Sequence, residues 1–241
     1  MPDAISLIRS LISSAGFSGH RAAVESLAKP KYPFVTISRQ AGAGGHSLCA
    51  ALQHLLESSP HDPFLMGWRL LDAKAVHDLL QRDSHLEVPL RTLDDEEYHS
   101  GIEDLVYNLI AHRVPQDMVI HKTFMLIRSL ARQGKVIILG RGAACLTADL
   151  PTGIHVRLVA PWTDRVQRMS QLGHLSDDAA ARSVAEQDTF RLRLVRDCFG
   201  KDVNDPLLYH CLWNTHMVPI DEIARRILQM IRERQPVAPV A

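Results

Sequence analysis

Apolar residues are arranged in two textures along this chain: short, nearly unbroken runs, and stripes that recur every three to four positions. Phe34–Ser38 (FVTIS), Val136–Leu139 (VIIL) and Ile154–Val159 (IHVRLV) are runs rich in residues that fit a sheet buried on both faces. Cys211–Asn214 (CLWN) reads as a last strand. Ala4, Ile5, Leu7, Ile8, Leu11 and Ile12 form the stripe of an amphipathic helix over 4–14. Leu48, Leu52, Leu55 and Leu56 form the stripe of another, beginning at Ser47. Further helices are expected at 72–82, 95–112, 119–133, 163–172, 176–197 and 220–232. The helix from 176 opens on Ser176, a good cap, with Asp177 and Asp178 suiting the positive end of its dipole. Strands separated by helices imply an α/β fold with a mostly parallel sheet layered by helices.

Two stretches break the rhythm. Lys29-Pro30-Lys31-Tyr32-Pro33 reads as a linker, which sets residues 1–30 apart as an N-terminal helical extension. Residues 60–118 have mixed charge, scattered proline and the acidic run Asp94-Asp95-Glu96-Glu97.

Charge narrows the function classes. Across 241 residues, 27 basic side chains balance 27 acidic ones. No global field is available to hold a nucleic acid polymer or an anionic membrane surface. No apolar run approaches the ~18–20 residues needed to span a bilayer. The first residues lack a basic region followed by an apolar block, so the expected location is cytoplasmic. Cys49, Cys145, Cys198 and Cys211 form no CxxC and are expected to be buried thiols. Despite 13 histidines there is no HExxH, and zinc is not expected. The basic half is uneven, however, with 21 Arg against 6 Lys. The planar guanidinium grips carboxylate and phosphate oxygens two at a time.

The sharpest motif is a strand, a glycine loop and a helix: FVTIS-RQAGAGG-HSLCAAL. A glycine turn opening onto a helix N-terminus makes a nest of backbone N–H groups, reinforced by the helix dipole, that suits phosphate. Gly42, Ala43, Gly44, Gly45, His46 and Ser47 are its candidate residues. Against the pattern GxxxxGK[ST], Gly45 and Ser47 fit, Gln40 replaces the first glycine and His46 the lysine. The alternative is a plain strand-to-helix turn in which Ser47 only caps. A second motif, Gly140-Arg141-Gly142, follows the second strand, as Arg39 ends the first. If those strands are parallel neighbours, Arg39 and Arg141 face one crevice at the carboxyl ends of the sheet. Otherwise they are surface arginines in turns. Third, seven arginines lie between Arg157 and Arg196. Arg165 and Arg168 are spaced i, i+3, as are Asp188 and Arg191. They suit either a transferring phosphoryl group or a solvated charged helix.

These pieces resemble the cytidylate kinase-like family, a branch of the P-loop nucleoside monophosphate kinases. The matching segments are ISRQAGAGGHSL (37–48), VIILGRGAACL (136–146), HVRLVAPWTDRVQRM (155–169), EQDTFRLRLVRDCFGKDVNDPLLYHCLWNT (186–215) and IDEIARRI (220–227). The resemblance implies one P-loop kinase-like domain at 34–232, with a three-layer parallel-sheet core. It also implies a helical acceptor-binding insertion at about 68–118 and an arginine-rich lid at about 162–200. The implied reaction is transfer of the ATP γ-phosphoryl group to a nucleoside monophosphate such as CMP or dCMP, with Mg²⁺. The loop through Ser47 would cradle ATP, and Ser47 would touch the metal. Arg39, Asp72, Arg141 and Asp188 would bind the acceptor, and Arg141, Arg165, Arg168 and Arg191 would act on the transferring group. The acceptor phosphate is already anionic, so no general base is required. Gly142 stands where classical cytidylate kinases carry an acidic residue, and no base-reading set aligns in the insertion. Two other functions fit the same residues: a non-catalytic nucleotide sensor with a degenerate loop, and a kinase of a non-nucleotide small molecule. The N-terminal stripe is expected to serve a homodimer or to pack on the chain's own core.

Overall fold

The computed structural model describes residues 32–59, 61–72, 75–76 and 116–234, with side chains in its helix 116–133 described from 123 onward. The expected helices at 4–14 and 95–112, and all but residues 72, 75 and 76 of the one at 72–82, lie outside the described residues.

The four expected strands form. They are β1 (Phe34–Arg39), β3 (Val136–Leu139), β4 (Gly153–Val159) and β5 (Cys211–Asn214). A fifth, β2 (Arg69–Leu71), was not expected, because three residues carry too little alternation to read. All pairings are parallel and the order is β2-β3-β1-β4-β5. β2 is therefore a strand of the sheet, lying at the start of the insertion expected at about 68–118. Residues 73–74 and 77–115 of that insertion lie outside the described residues.

The helices are α1 (Gly45–Glu57), α2 (Gln116–Gln133), α3 (Ala143–Leu146), α4 (Trp162–Leu172), α5 (Asp177–Phe199) and α6 (Ile220–Glu233). Ser176 caps α5 as expected, its side chain accepting from the Ala179 N–H. Strand alternation sorts the sheet into two faces. Val35, Ile37, Ile137, Leu139, Ile154, Val156 and Leu158 pack on the Leu48, Leu52 and Leu56 stripe of α1 and on Ile223, Ile227 and Ile231 of α6. On the other face Phe34, Val136 and Ile138 meet Ile127 and Ala131 of α2 and Ala143 and Leu146 of α3. Two helical layers thus enclose a five-stranded parallel sheet in a three-layer α/β fold. Among the described residues no helix is long and apolar enough to cross a membrane.

One polar tie holds α2 to this stack. Arg128 is 9% exposed; its Nη1 donates to the Leu146 carbonyl at 2.8 Å and to Asp149 Oδ1 at 2.7 Å, while Nη2 donates to Asp149 Oδ2. The Arg128 hydrogen bonds hold the Asp149 carboxyl below the usual carboxylate range. A folded-state pKa below the unfolded value gives stability that is full above the unfolded pKa and is lost as pH falls through the folded one. Asp149→Asn is therefore expected to lower the melting temperature at pH 7 and to flatten its decline below about pH 4. The check is a thermal melt at each pH; an acid decline as steep as that of the parent would remove this assignment.

Candidate active site

The glycine loop owes its shape to what surrounds it. Gly42 (φ +74°) and Gly44 (φ +87°) are left-handed, and Gly44 is the N-cap of α1 with no side-chain cap bond. The helix begins at Gly45, two residues before the expected Ser47. A Cβ at Gly45 would meet Arg39 Cγ at 3.1 Å and Leu139 Cδ1 at 3.2 Å, so a larger residue there would have to shift these side chains. Helix propensity alone would reject the glycine. Ser47 and His46 lie exposed in the first turn, where helical N–H groups have no intrahelical partner. That turn is a suitable seat for phosphate, and Ser47 is the hydroxyl available to a phosphate-bound Mg²⁺. Gln40 does without the freedom of the glycine it replaces. Its φ is not positive, its side chain accepts from the Ala160 N–H at 3.1 Å, and its own N–H donates to the Leu158 carbonyl at 3.0 Å.

Arginines clamp this loop. Arg165 is 6% exposed; its Nε donates to the Ala160 carbonyl at 3.1 Å, and its Nη1 donates to the Ala41 carbonyl at 3.2 Å and to Asp188 Oδ2 at 2.6 Å. Its guanidinium also stands 5.2 Å from the Trp162 ring centre. Arg168 Nη1 donates to the Gly42 carbonyl at 2.6 Å. Asp188 Oδ1 accepts from the Ala41 N–H at 2.7 Å and lies 3.6 Å from Arg191 Nη1. Asp188, expected among the acceptor ligands, thus joins the loop to Arg165 and Arg191. Arg165 and Arg168, expected at the transferring group, bind the backbone of the loop itself. Asp164 adds a tie from α4 to the turn after β5, its Oδ2 lying 2.6 Å from His216 Nδ1.

Arg39, Arg141 and Arg191 come together elsewhere. β1 and β3 are parallel neighbours, with Ile37 paired to Leu139, so Arg39 and Arg141 leave adjacent carboxyl ends. With Arg191 they line one solvent-open cleft. Its wall also carries Thr36, Ser38, Cys145 and Tyr209, and among the described residues no carboxylate lines it. The Gly140-Arg141-Gly142 turn is left-handed at all three residues, with φ of 81°, 60° and 63°. A Cβ at Gly140 would fall 2.0 Å from Arg39 Nη1, so the bare glycine lets the Arg39 guanidinium cross the turn. At Gly142 a Cβ would fall 2.5 Å from the Phe199 ring, which leaves no room for the acidic side chain of classical cytidylate kinases. Asp72 does not line the cleft; its Oδ1 accepts from the Ala75 N–H at 2.9 Å, a helix-capping contact.

Burial sets the remaining titratable groups. It pushes the Cys145 thiol up to about 11 and the Cys49 thiol up to about 12, so both are protonated at neutral pH and are poor nucleophiles. Burial also pushes His155 down to about 4, leaving a neutral ring 2.8 Å from Thr36 Oγ1. Thr36, Ser38, His155 and Arg157 form a polar row on one sheet face that the apolar reading of these strands overlooked. Alternation within TIS and HVR was the available signal.

A family model, that of the cytidylate kinase-like family, matches residues 34–217. An uncharacterized protein from Eubacterium ventriosum has a similar structure: 15% identity, a TM-score of 0.61, and coverage of 84% of this chain and 99% of that one. A shikimate kinase from Acinetobacter baumannii is 17% identical with a TM-score of 0.45, covering 90% of this chain and 99% of its own. A gluconokinase from Sinorhizobium meliloti is 14% identical with a TM-score of 0.42, covering 86% and 95%. No curated protein matches the chain.

Proposed function

The chain belongs to the cytidylate kinase-like family, and from that premise we propose that it transfers the ATP γ-phosphoryl group to a nucleoside monophosphate, with CMP and dCMP the first acceptors to test. The observation that carries the reading is the meeting of Arg39, Arg141 and Arg191 in one cleft beside the strand that feeds the glycine loop. The two halves divide the work. The first turn of α1 holds the phosphates of the donor through backbone N–H groups. The cleft holds the acceptor phosphate through guanidinium forks, which also spread the charge of the reacting group. Ser47 is the hydroxyl that would hold a phosphate-bound Mg²⁺, which would supply further charge neutralisation. Because the attacking oxygen is already anionic, the protein's task is alignment, and the reaction asks for no base from the cleft wall.

A second reading rests on Arg165 and Arg168. Their guanidiniums are engaged by Ala41, Gly42, Ala160 and Asp188, within the protein itself. If they stay there, the chain binds a nucleotide without turning it over. The deciding experiment presents the full chain with Mg²⁺-ATP and a panel of nucleoside monophosphates and small hydroxyl compounds, and follows ADP release. Release with CMP or dCMP supports the first reading. Nucleotide binding by calorimetry with no release across the panel supports the second, and ADP release with only a non-nucleotide acceptor reassigns the substrate.

A further inference from the structure

A buried cation lies behind the cleft wall, outside the residues that the phosphate reading uses. The β1–β4 register sets Ser38 opposite Arg157. Arg157 is 3% exposed; its Nη1 donates to Ser38 Oγ at 2.8 Å and its Nη2 to Asn204 Oδ1 at 2.8 Å. Its guanidinium carbon stands 5.7 Å from the Tyr209 ring centre. Every one of these partners is uncharged. Among the described residues no carboxylate pairs with Arg157, whereas Arg128 and Arg165, the other two buried arginines, each hold an aspartate. A buried charge without a counter-ion is costly, and an anion bound nearby would offset part of that cost.

The cation reaches the cleft through two side chains. Ser38 and Tyr209 both line it. The Tyr209 hydroxyl lies 3.2 Å from Ser38 Oγ and 2.9 Å from the Val203 carbonyl. Arg157 thus fixes Ser38 directly and lies against the Tyr209 ring, while Val203 fixes the phenol. The neighbouring histidine adds no charge to the row, because burial keeps His155 neutral at physiological pH.

We propose that Arg157 is a positioning residue of this cleft: it fixes the Ser38 hydroxyl, backs the Tyr209 ring and adds a buried positive charge behind them, so that the cleft prefers a doubly charged tetrahedral anion, such as a phosphomonoester dianion, to a singly charged one. The proposal rests on the reading of the cleft as the acceptor-phosphate site. One charge behind the wall attracts a dianion about twice as strongly as a monoanion, and in a partly buried site the difference is worth about a factor of ten in affinity.

The test uses the full chain at pH 8 with two tetrahedral probes, inorganic sulfate (dianion) and methanesulfonate (monoanion), titrated calorimetrically. The parent is expected to prefer sulfate. Arg157→Gln is expected to lower the sulfate-to-methanesulfonate affinity ratio about tenfold, and Arg157→Lys to restore most of it. A folded Arg157→Gln protein with the parental ratio overturns the proposal. If Arg157→Gln does not fold, Tyr209→Phe and Ser38→Ala carry the test. Each is expected to weaken both anions severalfold, and parental affinity in both variants overturns the positioning role. Arg141→Ala separates the two levels. Should it abolish sulfate binding while Arg157→Gln keeps the parental ratio, only the role of Arg157 falls. Should the parent and all variants ignore sulfate, the phosphate reading of the cleft falls with it.

Discussion

Gly42→Ala is expected to lower stability by about 3 kcal/mol and to abolish phosphoryl transfer. Gly42 sits at φ +74°, and an added Cβ would come 2.4 Å from the backbone carbonyl oxygen of Arg165. The obstacle is main chain at the start of α4, so no side-chain rotation relieves it. Either the loop or the helix has to move, and the Arg165 and Arg168 bonds to the loop carbonyls move with it. A control isolates the cause. Gly67 has nearly the same conformation, φ +78°, with no atom within 4 Å of its added Cβ. Gly67→Ala therefore carries the left-handed strain alone, about 1 kcal/mol. Thermal melts of the two variants check the difference. Equal losses would show that the α4 contact does not constrain the loop.

Arg141→Ala is expected to leave the fold intact and to reduce turnover about 10²–10³-fold, the loss seen when one preorganised donor is taken from a developing charge. Arg141 leaves the end of β3 beside Arg39 and lines the same cleft as Arg39 and Arg191, where the proposed acceptor phosphate would meet three guanidiniums. Its backbone supplies an independent readout. At φ 60° between two left-handed glycines, any residue with a Cβ is strained. Arg141→Gly should therefore melt above Arg141→Ala while being equally inactive. An arginine retained in a strained conformation that glycine would relieve fits selection for binding. If Arg141→Ala loses stability in proportion to activity, the residue is structural and the cleft loses its central cation.

The motif segments were legible because their signals are local. Phe34–Arg39 and Val136–Leu139 are strands because β-branched residues run together in them. α5 starts where Ser176, Asp177 and Asp178 say it should. β2 was missed because Arg69-Leu70-Leu71 is too short to show a period, and α3 because Ala143–Leu146 is a single turn. The alignment with P-loop kinases was legible through ISRQAGAGGHSL and VIILGRGAACL, and it covers the stretch the family model matches.

Spacing could not assign the arginines. Arg165 and Arg168 at i, i+3 share a helix face whether that face meets solvent, nucleotide or the loop backbone; only the packing of α4 on Gly42 selects the last. Arg157 read as one member of a charged cluster, yet it is among the most buried charges described, because residue parity in β4 turns it toward Ser38. Gln40 and Gly142 read as departures from a pattern. Their surroundings explain them, through a bond from Ala160 in one case and the Phe199 ring in the other.

By itself the sequence determined the elements, their α/β alternation and the glycine loop ahead of α1, because apolar period, β-branching and capping act over a few residues and survive without the rest of the chain. The tertiary structure alone decided that β3, and not β2, lies beside β1. That order places Arg39 and Arg141 in one cleft, and it is set by long-range burial of both sheet faces, which leaves no mark in the local pattern of either strand.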